Sequence, residues 1–221
     1  MKFWNFLLAG IGVVTPSLAS AQGLDGLYLQ MKFAFGNFQE NHYFFLPDGR
    51  YLTEVPDGDL TAAGLDRACV KAPTQCGRYA LQGGNLVLTP SKGKPDTLSI
   101  EKLPNGDLRI GGLFAKRVAS FPAGTKLDGT YSRIESAGRV SAARTYTFRP
   151  DGTFSASGLG AVSTEQGVAK SQNSEAGTYR LNGHVLELVA GGKTTRIVAY
   201  PYDLGKGDVR LNLGGVFFKK Q

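Results

Sequence analysis

Histidine, cysteine and methionine each occur only twice in the 221 residues, tryptophan occurs once, and charged residues make up 19%. So little histidine works against a metal centre or a histidine-dependent catalytic group, since both draw on clustered partners. His42 and His184 stand in unrelated contexts, and no metal ligand, cofactor or catalytic residue is assigned. There is no C-x-x-C pair, which removes the usual spacing of a redox-active dithiol. Charge is too sparse for an acidic or basic disordered tail. No run of like charge exceeds two residues, as at Lys116-Arg117 and Lys219-Lys220. Without a basic stripe interleaved with aromatics, or a reading helix, no nucleic-acid partner is expected. Thirty glycines and ten prolines disfavour long helices, because an interior Gly costs about 1 kcal/mol and an interior Pro about 3 relative to Ala.

The N-terminus has a recognisable pattern. Lys2 precedes an apolar run from Phe3 to Val14, followed by Thr15-Pro16-Ser17 and the small triplet Ala19-Ser20-Ala21. This reads as a secretory signal peptide over residues 1–21, cleaved at an A-x-A site to leave Gln22 first. A membrane anchor would need about 20 apolar residues, and this run ends at Pro16. No cysteine follows the cleavage site, so the expected product is not lipidated, has no membrane span, and resides in the periplasm or outside the cell. The net charge is +7 and loses only Lys2 with the leader, leaving +6. In an exported protein that excess favours weak attraction to anionic headgroups, sugars or ligands. In an oxidising compartment Cys69 and Cys76, spaced C-x6-C, are expected to form a disulfide.

The chain also repeats itself. Leu24-Asp25-Gly26-Leu27-Tyr28 recurs as Leu127-Asp128-Gly129-Thr130-Tyr131, and Tyr43-x-Phe45-x-Pro47-Asp48-Gly49 recurs as Tyr146-x-Phe148-x-Pro150-Asp151-Gly152, both 103 residues on. Gly77-x-Tyr79-x-Leu81-x-Gly83 matches Gly177-x-Tyr179-x-Leu181-x-Gly183 at an offset of 100. Gly111-Gly112-Leu113-Phe114 matches Gly214-Gly215-Val216-Phe217 at 103 again. Four blocks in one order imply a tandem duplication, with domains at 22–117 and 127–221 joined by a linker at 118–126.

Each copy reads as strands. Thr145-Tyr146-Thr147-Phe148-Arg149 alternates polar and apolar residues, so Tyr146 and Phe148 face a core. Pro-Asp-Gly and Asn182-Gly183 are turn signals. The expectation is an all-β protein of two tandem antiparallel meanders, each a small barrel or half-barrel of six to eight strands. A single helix is expected near Leu60 to Ala68. The Ser/Gly/Ala-rich stretch from Ala156 to Ala176 reads as a mobile linker in preference to a lid at a barrel mouth, being too polar and too long for a tight hairpin.

The Gly-x-aromatic of the first strand, the aromatic-x-Phe-x-Pro-Asp-Gly hairpin, the Gly-x-Tyr strand and the basic residue on the last strand resemble bacterial lipocalin-like, calycin-type barrels. Tyr28 and Tyr131 stand where the lipocalin signature carries tryptophan. The resemblance implies a barrel fold and a permissive ligand-binding role, without naming a ligand. At the offset of 103, Phe33, Phe35, Phe38, Phe44 and Leu46 of the first copy correspond to Ser136, Gly138, Ser141, Thr147 and Arg149 of the second. Large apolar groups at positions that are polar or small in the other copy suggest a contact surface. That surface suits a small apolar or amphipathic molecule, a cell-envelope protein partner, or the packing of the second copy itself. The expected function is non-enzymatic binding of a small molecule, with an envelope interaction module as the alternative.

Overall fold

The structure, a computed structural model, describes residues 23–34, 37–55, 58, 60–137, 140–164, 167–203 and 208–221, without the side chains at 33, 34, 37, 38, 136, 137, 140, 162–164 and 167–170. Two closed barrels of eight antiparallel strands in meander order follow one another along the chain. The first contains β1 (Gly26–Ala34), β2 (Asn37–Phe45), β3 (Arg50–Leu52), β4 (Cys76–Gln82), β5 (Asn85–Pro90), β6 (Asp96–Lys102), β7 (Leu108–Ile110) and β8 (Leu113–Arg117), with helix α1 (Ala62–Lys71) between β3 and β4. The second contains β9 (Gly129–Ala137), β10 (Val140–Phe148), β11 (Thr153–Thr164), β12 (Gly167–Asn182), β13 (Val185–Ala190), β14 (Lys193–Asp203), β15 (Val209–Leu213) and β16 (Val216–Lys220). Pairing of β1 with β8, and of β9 with β16, closes the two sheets. No helix among the described residues is long and apolar enough to cross a membrane.

Alternation builds each barrel core. Tyr28, Tyr43, Phe45, Tyr51 and Tyr79 fill the first, while Tyr131, Tyr146, Phe148, Phe154 and Tyr179 fill the second. The shared Gly-x-Tyr has a structural reason: Gly26 and Gly129 sit at φ 107° and 125°, a region natural to glycine. The missing side chain also makes room for the last strand, since a Cβ at Gly26 would crowd the Arg117 guanidinium and one at Gly129 the Lys220 side chain.

A third apolar core lies between the barrels. Leu27, Leu29, Phe44, Leu52 and Leu65 of the first half pack with Val198, Tyr200 and Phe217 of the second. The connecting segment takes part in both cores: Val118 joins the inter-barrel cluster, and Phe121 bridges to Gly183 and packs into the second barrel.

Two expectations need correction. The helix begins at Ala62 and reaches Lys71, because the Thr61 side chain caps it by accepting from the Gly64 amide and Leu65 anchors its buried face. The stretch from Ala156 to Ala176 is a strand pair and not a loop. β11 and β12 form a long hairpin in continuous register from Thr153↔Thr178 to Thr164↔Gly167. Pairing of β11 with both β10 and β12 satisfies its backbone, so strand formation does not depend on apolar side chains there.

Candidate functional site

Register places the inward residues of β9, β10, β11 and β12 in rows that step from the floor of the second barrel to its mouth. The deepest is Gly129, Phe148, Phe154, Gly177, and the next is Tyr131, Tyr146, Ala156, Glu175. Above them come Arg133, Arg144, Gly158, Asn173, and then Glu135, Ala142, Gly160, Ser171. Rings give way to small residues and charges within four steps. The small residues leave a cup of about 380 Å³ between Arg133, Arg144, Asn173 and the Phe218 ring. A recess of about 240 Å³ shares Arg144, Gly158 and Asn173 with the cup and reaches Tyr146 and Glu175. A Cβ at Gly158 would collide with the Asn173 Oδ1, and one at Gly160 would come within 2.8 Å of the Ser171 hydroxyl. Glycine in these two rows therefore keeps the wall open.

The first barrel treats the same level differently. Gln30 and Asn41 occupy the positions of Arg133 and Arg144. Asn41 donates to the Gln30 Oε1 at 3.3 Å, and the Gln30 Nε2 donates to the Ile110 carbonyl at 2.9 Å. Gln30 is buried, and at this level the first barrel carries two amides bonded to each other and to the wall where the second carries two guanidiniums.

Charge around the second mouth is mixed. Arg133 pairs with Glu135. Among the described residues no carboxylate lies within ion-pair distance of Arg144. Burial raises the Tyr146 hydroxyl's pKa even though Arg144 beside it pulls the other way, and burial likewise raises that of Tyr131. Across the barrel boundary, burial raises the Glu40 carboxyl's pKa against the opposing pull of Arg133 and Arg210.

Of the contact residues read from the sequence, Phe44 and Leu46 lie elsewhere. Phe44 is 3% exposed and sits in the inter-barrel core; Leu46 packs against the same cluster. Phe33 and Phe38 are register partners where β1 and β2 meet. Their side chains, and all of Phe35, lie outside the described residues. Cys69 and Cys76 form a disulfide from the end of α1 to the start of β4, with 5.5 Å between their Cα atoms. No group of three or more metal-ligating side chains occurs among the described residues. His42 is buried at the barrel boundary with its Nε2 2.6 Å from the Tyr200 hydroxyl, and burial lowers its pKa to about 4. His184 Nε2 lies 3.3 Å from the Val118 carbonyl, beside the connecting segment.

A wider surface groove of about 580 Å³ runs along that segment. Its polar groups already serve the fold: Asp107 accepts from the Arg117 amide at 2.7 Å, and the Lys116 ammonium rests over the Tyr202 ring. The second-barrel cup is the better candidate. Neither a scan against protein-family models nor searches of curated proteins and of solved structures return a match for this chain.

Reading the sequence for apolar stripes passed over Arg133 and Arg144. The signal was present in two forms: alternation extended upstream from Tyr146 puts Arg144 on the core side, and the offset of 103 sets Gln30 and Asn41 against two arginines.

Proposed function

We propose that this chain is an exported, non-enzymatic binding protein that holds a small apolar or amphipathic molecule in the mouth of its second barrel. The observation that carries this reading is the contrast between the copies: at the same level one carries two amides bonded to each other and to the wall, while the other carries two arginines at a cup with a polar rim over an aromatic floor. Its size falls within the roughly 300–1,000 Å³ of small-molecule sites, which join an apolar lining to a few placed polar groups. The calycin-type resemblance supports the same role, and the leader at residues 1–21 supports export. The test is native mass spectrometry of the protein purified without detergent, beside a Gly158→Leu variant whose new side chain fills the cup. A small molecule released from the wild type and absent from the variant is the expected result. Equal occupancy in both would move the site out of the cup, and failure of the wild type to bind any amphiphile from a panel would remove the reading.

One observation favours the envelope-partner alternative. Ile134 pairs in register with Ala143 and is 78% exposed, outside the lining of the cup. Crosslinking in the host envelope through Ile134, with no small molecule carried, would favour that alternative.

A further inference from the structure

We infer that the cup selects an amphiphile with an oxyanion head, of which a carboxylate is the simplest case, and seats that head between Arg133 and Arg144. This rests on the cup being the binding site and goes beyond it by naming the chemical class.

Arg133 and Arg144 are direct register partners on neighbouring antiparallel strands and both line the cup. Directly opposed residues have their Cβ atoms about 4.5–5.5 Å apart, where two like charges repel. The fold does not demand this pair, since the first barrel meets the same structural need with the neutral Gln30 and Asn41. Two guanidiniums at that spacing offer converging forks of N–H donors, the geometry that matches an oxyanion. Asn173, in the same row, adds an amide at the rim. The apolar tail would lie on Phe218.

Three carboxylates bear on the site. Glu135 pairs with Arg133 from a side chain 56% exposed, a pair that solvent screens and a better-placed oxyanion can displace. Glu175 borders the deeper recess beside Arg144 but not within ion-pair distance of it. Glu40 reaches Arg133 from the first barrel, shares its field with Arg210, and is shifted toward its neutral form by burial. Glu135 is therefore the resident competitor for the head.

The experiment measures displacement of an environment-sensitive naphthalene sulfonate dye by laurate, dodecanol and dodecyltrimethylammonium, which share a tail and differ in head. Laurate is expected to bind at least tenfold more tightly than the other two. Arg144→Gln should abolish that preference, bringing laurate affinity down to that of dodecanol. Glu135→Gln should strengthen laurate binding severalfold relative to dodecanol. Equal affinity for laurate and dodecanol in the wild type, or a preference that survives both Arg144→Gln and Arg133→Gln, overturns the oxyanion seat while leaving the cup intact. Binding that Gly158→Leu does not disturb, or no binding of any probe, overturns the cup and the seat together. Circular dichroism and thermal melting of each variant separate lost binding from lost fold.

Discussion

Tyr79 and Tyr179 show what the duplication preserves at the level of single side chains. The Tyr79 hydroxyl donates to the Leu24 carbonyl at 2.9 Å and lies 3.1 Å from that of Leu46; the Tyr179 hydroxyl lies 2.9 Å from the Leu127 carbonyl and 3.0 Å from that of Arg149. Each ring is buried, and its hydroxyl ties the segment before the first strand of its barrel to the turn after the second. Such a tie explains why Gly-x-Tyr recurs while much around it drifts. Tyr179→Phe keeps the ring and leaves the Leu127 carbonyl without its donor, while the Arg149 carbonyl still accepts from the Gly152 amide at 3.0 Å, so it should cost about 1–2 kcal/mol. Urea denaturation measures this, and a variant as stable as the wild type would mean that water satisfies the Leu127 carbonyl. The arginines follow the opposite logic. They occupy a row where the first barrel is neutral, so their identity answers to something other than barrel closure.

Between the third and fourth strands of each barrel the two copies part company, and there the offset falls from 103 to 100. The first copy stops β3 after three residues and spends the following segment on α1, whose Leu65 enters the inter-barrel core. The second runs β11 and β12 on as a hairpin that walls the cup. The motif-bearing strands could be read directly, because Tyr146 with Phe148, and Leu186 with Leu188, alternate with polar neighbours. The long hairpin could not, because one of its faces meets solvent and the other lines a polar mouth, so its strands lack the apolar period on which such reading depends. The cup was hidden for the same reason, being made of arginines and glycines. The disulfide belongs to this divergent element. Closing a loop of seven residues restricts the unfolded chain by about 2 kcal/mol in the chain-entropy account. Replacing both Cys69 and Cys76 by Ser should lower stability by about that much without changing affinity for any cup ligand. Loss of binding in the double variant would show that α1 shapes the second barrel's mouth through the inter-barrel core.

The two barrels have separate cores, yet Leu27, Leu29 and Phe44 on one side and Val198, Tyr200 and Phe217 on the other bury a third between them. The phenylalanine stripe thus contributes Phe44 to joining the copies. In this largely apolar seam the His42–Tyr200 pair links stability to pH. Burial holds the His42 pKa at about 4, below the ordinary 6.5, so the folded chain keeps the ring neutral while the unfolded chain binds a proton. Between pH 6.5 and 4 the unfolded state therefore carries more protons, and stability falls as the solution is acidified. Above pH 6.5 this contribution is complete; below 4 the loss levels off at about 3 kcal/mol. The other groups at the seam bear on the slope differently. Burial raises the pKa of the Tyr200 and Tyr202 hydroxyls, so they stay protonated throughout this range. The raised pKa of Glu40 opposes His42, because protonation of that carboxyl on acidification relieves a cost of folding. Urea denaturation of the wild type and His42→Gln at pH 7.5, 6, 5 and 4.5 isolates the histidine. The wild type should lose stability steeply below pH 6.5 and the variant much less, Glu40 being common to both. Parallel slopes would mean that His42 is solvated in the folded chain and that the seam opens without it.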